Sequence, residues 1–229
     1  MVDTGIDDSH PDFANLTLTG FRDFYEDEHD LVRDVGEDSH GTMMAGLLVA
    51  DGKFRGAAPG VDLSVALALG PSGTSGQEDR VAQAIRWCRI TQKADIVSLS
   101  LAVSRRRHGD SVRDHTSRAG GLGRGHFCGR RGRQHRGDPD IFDVSVPANL
   151  PGVIAVGSST RSGSVWSNSA GGSLTNPYGD GNRSYPDQKP EVTAPGVLLF
   201  STTTTLIEPP YAIPPGPATR QSWSPAHSR

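Results

Sequence analysis

The chain is poor in several things that would mark a functional class. It has only two cysteines, Cys88 and Cys128, in 229 residues. One possible pair cannot form a disulfide framework and reveals little about redox compartment. No apolar run is long enough to cross a bilayer, which argues against a helical membrane protein. The first residues lack a basic segment followed by an apolar one, so no secretory leader is read there. Hydrophobic residues make up 34% of the chain, below the usual share for a globular domain. Positive charge is not in excess either: the formal net charge of −3 argues against a dedicated nucleic-acid binder. The abundant residues are 28 Gly and 16 Pro, which predict many loops and turns. The length suits one α/β domain and is too small for two.

Met1 to Ile6 (Met-Val-Asp-Thr-Gly-Ile) reads as the end of a buried strand running into a loop. So short a strand is expected to pair poorly, and its beginning is expected to be missing. Residues 7–38 are acidic and rich in turn formers. Ser39-His40-Gly41-Thr42 then opens a run of small and apolar residues to Val49, predicting a closely packed helix with Ser39 as its cap. Residues 56–69 predict a turn and a buried strand, followed by a Gly/Ser loop from Gly70 to Gly76. Val81, Ala84, Ile85 and Cys88 recur at helical spacing, and Ala94 to Leu101 reads as another buried strand. Strands alternating with helices imply a parallel sheet covered on both faces.

The pattern breaks at residues 105–136, which hold ten Arg, no Lys and almost nothing that could form a core. Ordinary composition returns at Asp138. Residues 151–157 read as a turn and a strand, Leu198 to Ser201 as a short strand, and the tail is Pro-rich. No internal repeat is present.

Several segments together resemble the subtilisin-like serine proteases. Val2-Asp3-Thr4-Gly5-Ile6 with His10-Pro11-Asp12 is similar to that family's catalytic-Asp motif, and His40-Gly41-Thr42-Met43-Met44-Ala45-Gly46 to its catalytic-His motif. Gly56 to Gly60, Asp95 to Ala102, Pro147 to Gly157, Trp166-Ser167-Asn168 and Ala194 to Val197 match further signatures in the family's order. Each alone is weak, and their ordered occurrence is strong. The resemblance implies a three-layer α/β domain, a mostly parallel sheet with helices on both faces, spanning residues 1–229 and incomplete at both ends. It implies endopeptidase chemistry, in which His40 serves as base to a serine hydroxyl and Asp3 fixes the His tautomer. Leu99, Ser100 and Leu101 would bind an extended peptide or protein substrate as an added strand. Ala102 stands where relatives commonly have Gly, which would slightly narrow the cleft. The Gly70–Gly76 loop would help shape it. No cofactor is required by the sequence; some relatives bind calcium, but no ligand set compels it, and the acidic stretch with His10 and His29 reads as a solvated loop. The resemblance further implies a monomer, without nucleic-acid or membrane partners, and a secreted or extracytoplasmic location.

Two parts of the pattern fail. The nucleophile's Gly-Thr-Ser motif has no clean match, and its nearest equivalent is Arg220-Gln221-Ser222-Trp223-Ser224-Pro225-Ala226-His227. Ser222 is the candidate nucleophile, with the helix behind it expected to be absent or short. The oxyanion Asn should lie where the Arg-rich stretch stands, yet no Asn occurs between Arg105 and Arg136. Read one nucleotide later, suitable codons for Gly125 to Gly137 give AIFVVAAGGNTG, an apolar strand ending in Gly-Asn. The stretch is therefore expected to be out of frame. A genuine basic loop that binds an acidic partner or nucleic acid is the rival reading. These failures keep a second function open: a catalytically inactive fragment or pseudoprotease that at most binds peptides.

Overall fold

The computed structural model describes residues 1–29, 31–75, 77–101, 125–128, 147–148, 153–167, 169, 175–176, 181–182 and 189–213. In chain order the strands are β1 (Val2–Asp3), β2 (Leu18–Asp23), β3 (Leu63–Leu67), β4 (Val97–Leu99), β5 (Gly125–Cys128), β6 (Ile154–Ser159), β7 (Thr175–Asn176), β8 (Gly181–Asn182), β9 (Val192–Pro195), β10 (Ser201–Thr202) and β11 (Tyr211–Ala212). Seven of them form one sheet, in the order β2-β3-β1-β4-β5-β6-β9. Every neighbouring pair in it is parallel. Among the described residues the α-helices are α1 (His40–Val49) and α2 (Glu78–Ile90), with a short 3-10 helix at Pro11–Phe13.

Strand alternation sorts the apolar residues onto two faces. From β3, Leu63 and Val65 join a cluster with Met1, Ile6, Ala45 and Val49, which puts α1 on that face. Ala66 faces the other way, into a cluster with Val2, Ile85, Cys88, Val97 and Leu99, which puts α2 opposite. The expected three-layer α/β architecture is present. A parallel sheet covered on both faces demands near-continuous apolar strands, and β3 supplies one.

Four local expectations need correction. β1, expected to pair poorly, is paired on both edges, with Val2 opposite Ala66 and Leu99 and Asp3 opposite Leu67. Complete burial of Val2 and Asp3 makes up for its length. β2 arises within the stretch read as acidic turns: it is one of the two edge strands of the described sheet, half exposed, so it carries no apolar run. The strand expected at 198–201 is replaced by β9, which joins the sheet, and by β10, which pairs with β11 in a separate antiparallel hairpin. Leu198 lies between them at φ 54°, a conformation no strand tolerates. Finally, β5 lies inside the Arg-rich stretch and fills the slot between β4 and β6. The rest of residues 105–136 lies outside the described residues.

Candidate active site

Asp3 is the last residue of β1, and the chain turns immediately after it. Gly5 at φ 119° makes that turn possible; a Cβ there would lie 2.0 Å from the Arg33 carbonyl oxygen. His40 is the first residue of α1, and Ser39 before it adopts the left-handed conformation at φ 51°. The expected Ser39 side-chain cap is absent. Side chains from elsewhere satisfy the first helical N–H groups instead. Gly41 N–H donates to Thr4 Oγ1 at 2.8 Å, and Thr42 N–H to Asp34 Oδ2 at 2.7 Å.

These turns bring Asp3 and His40 together. The His40 Nδ1–H donates to Asp3 Oδ1 at 2.7 Å. Asp3 is fully buried and the His40 side chain is 20% exposed, so one edge of the imidazole is sealed inside while the ring still reaches the surface. Thr4 N–H donates to the same Oδ1 at 2.7 Å. The other oxygen, Oδ2, is buried without a hydrogen-bond partner among the described residues. A carboxylate so placed fixes which imidazole nitrogen carries the proton, leaving Nε2 as the basic one, and favours the imidazolium when it forms.

The sequence reading missed Asp34, Thr4 and Thr42. Asp34 was part of a loop expected to be solvated, but its carboxylate accepts four hydrogen bonds. Asp23 in the same stretch is fully buried, taking the Tyr25 and Glu26 amides and the Arg33 guanidinium. No local spacing signals such contacts, because the Thr4 partner is 30 residues away.

Leu99 stands opposite Val2 on one side and Phe127 on the other, so both its edges lie within the sheet. Ser100 and Leu101 continue beyond the paired end of β4. The glycine loop packs beside the segment leading to His40: Glu37 N–H donates to the Pro71 carbonyl at 3.0 Å. Ser222 lies outside the described residues, as does any oxyanion donor from 129–136. His10 is not a free ligand, since Nδ1 accepts from Asp12 N–H at 3.0 Å and Nε2 donates to the Pro210 carbonyl at 2.9 Å. His29 pairs with Asp27 at 2.9 Å. Among the described residues no group of three or more His, Cys, Asp and Glu could hold a metal ion. Cys88 is buried, and desolvation pushes its thiol above the usual range, which disfavours the thiolate a cysteine nucleophile needs. No helix among the described residues is long and apolar enough to cross a membrane.

Comparison with known proteins supplies a context for this geometry. The family model described as Subtilase family (Peptidase_S8) matches residues 1–216. The chain is 33% identical over 168 residues to the major intracellular serine protease of Bacillus subtilis (strain 168), covering 69% of this chain and 49% of that protein. It is 28% identical over 205 residues to subtilisin E of Bacillus subtilis (strain 168), covering 88% of this chain and 47% of that protein. The solved structure of sphericase superposes with a TM-score of 0.64 at 26% identity, covering 88% of this chain and 66% of that chain. The chain therefore spans about half the length of these two sequence relatives.

Proposed function

This chain belongs to the subtilase family, and from that premise we propose that it is a serine endopeptidase working through Asp3, His40 and Ser222. The observation that carries the reading is the 2.7 Å contact between a fully buried carboxylate at a strand end and a partly exposed imidazole at a helix start. Ser222 Oγ would attack the scissile carbonyl carbon while His40 Nε2 accepts its proton. The tetrahedral adduct would collapse as His40 returns that proton to the leaving amine. Water would then cleave the acyl-enzyme by the same route in reverse roles. Asp3 would hold the ring and offset its charge. An extended substrate would lie along Ser100 and Leu101, past the end of β4, with Leu99 anchoring that end in the sheet.

A second reading, an inactive peptide-binding relative, is favoured by Arg220-Gln221 in place of Gly-Thr and by the lack of Asn in residues 105–136. In subtilisin, the standard case, losing one oxyanion donor costs roughly 10²–10³-fold in rate. Hydrolysis of an unstructured protein substrate by the purified chain separates the two. Active chain should lose at least about 10⁴-fold in kcat on His40→Ala or Ser222→Ala. No hydrolysis by folded wild type leaves the inactive reading. The extracytoplasmic location is likewise proposed, and cell fractionation tests it; relatives named as intracellular and as extracellular both occur.

A further inference from the structure

We propose that Asp34 is a positioning residue whose carboxylate clamps the turn carrying Asp3 to the start of the helix carrying His40, and so sets their separation. The kinetic consequence rests on the serine-protease reading; the geometric one needs only the Asp3–His40 contact.

Asp34 lies between the two segments and touches both. Its Oδ1 accepts from Thr4 Oγ1 at 2.7 Å and from Gly36 N–H at 2.9 Å. Its Oδ2 accepts from Thr42 N–H at 2.7 Å and from Thr42 Oγ1 at 2.6 Å. Thr4 directly follows Asp3, and Thr42 lies one residue beyond Gly41, the neighbour of His40. Thr4 Oγ1 also receives the Gly41 N–H, so one hydroxyl ties turn, helix and carboxylate together. The backbone holds Asp34 in place from both sides: Ile6 N–H donates to the Arg33 carbonyl and Val35 N–H to the Thr4 carbonyl, each at 3.0 Å.

Two physical points make this more than a loop cap. A carboxylate offers about four lone-pair sites, and all four face donors here. An amide of the same shape would turn an NH₂ group towards a donor, so charge as well as shape is required. The assembly also has no slack, since a Cβ on Gly41 would lie 2.1 Å from the Gly5 carbonyl oxygen. A hydrogen bond of 2.7 Å between Asp3 and His40 is lost if their supports separate by about 1 Å.

The test uses the whole chain with Asp34→Asn, Thr42→Val and Thr42→Ser. The first readout is the downfield Nδ1 proton of His40 by NMR, assigned by its loss in His40→Ala. The second is kcat and KM per active site titrated with a fluorophosphonate. Asp34→Asn should move or abolish the proton signal and lower kcat on the order of 10- to 100-fold, with KM within about twofold. Thr42→Val should do the same to a smaller degree, and Thr42→Ser should restore both. Thr42→Val carries the test should Asp34→Asn not fold. A folded Asp34→Asn chain that keeps the signal and its kcat per titrated site overturns the proposal. So does a wild-type chain without the signal, because there is then no contact to position. Should wild type hydrolyse nothing, the protease reading fails, while the proton signal still decides the role of Asp34.

Discussion

Gly41 shows how tightly individual residues constrain the Asp3–His40 pair. By helix propensity alone, Gly41→Ala should stabilise α1 by up to about 1 kcal/mol. The methyl would instead run into backbone, the Gly5 carbonyl at 2.1 Å. Overpacking of this kind costs roughly 1–3 kcal/mol, so the expected outcome is a lower melting temperature together with a loss of kcat. An unchanged melt would mean the two segments can separate without cost. Asp3→Asn removes the charge that offsets the imidazolium and should lower kcat about 10⁴-fold, measured with KM on the same substrate. Asp3 and His40 were legible because each lies in a contiguous motif that names its own chemistry. Asp34 was not, because its partners are Thr4 and Thr42, brought to it only by folding. Ser39 misled for a related reason. It is a good capping residue by type, but its left-handed backbone turns the side chain away from that task.

Among the elements, the β10–β11 hairpin has a polar tether to the 3-10 helix at Pro11–Phe13, beside the Ser201 and Thr202 hydroxyls that donate to α1 carbonyls. Tyr211 O–H donates to Asp12 Oδ1 at 2.8 Å, and the Lys53 and Phe54 amides fill the rest of that carboxylate. Burial, then the hydrogen bond and the charge of Asp12, push Tyr211 up to about 12 from an ordinary 10.0. Between those values the unfolded tyrosine has lost its proton while the folded one keeps it, so stability falls as pH rises through that window. Tyr211→Phe should flatten this fall, read as melting temperature against pH. Burial pushes the Asp12 acid up, but the Phe54 and Lys53 amides outweigh it and hold the group below the ordinary range. Its contribution is therefore present above the ordinary carboxylate range and is lost as pH falls through the lowered value. β5 raises a different matter. β3 and β4 were legible from their apolar runs, whereas Gly125-His126-Phe127-Cys128 is a poor sequence for an interior strand of a parallel sheet. Its neighbours define the slot, and the shifted reading of the same codons would fill it with Ala-Ile-Phe-Val. Sequencing the coding DNA should reveal AIFVVAAGGNTG in the neighbouring frame. A neighbouring frame without an apolar strand and Gly-Asn would leave the Arg-rich segment as a true part of the protein.

At the scale of the molecule, the sheet order explains why the paired residues meet. β1 lies between β3 and β4, so Asp3 emerges near the middle of the sheet's carboxyl edge, where such folds collect their chemistry. The alternation of strands and helices made this architecture legible. The order of strands was not, since it depends on β2 and β5, whose sequences look like loop. The proposed substrate track past β4 and the Asp3–His40 contact then belong to one edge of one sheet. The proposed nucleophile, Ser222, lies in the C-terminal sequence, and the protease proposal stands or falls on it. The most direct measurement is labelling of the folded chain with a fluorophosphonate, with the modified residue mapped by mass spectrometry. The account predicts a single adduct on Ser222 that disappears in His40→Ala. A folded chain that takes no label, or takes it on another residue regardless of His40, would contradict it.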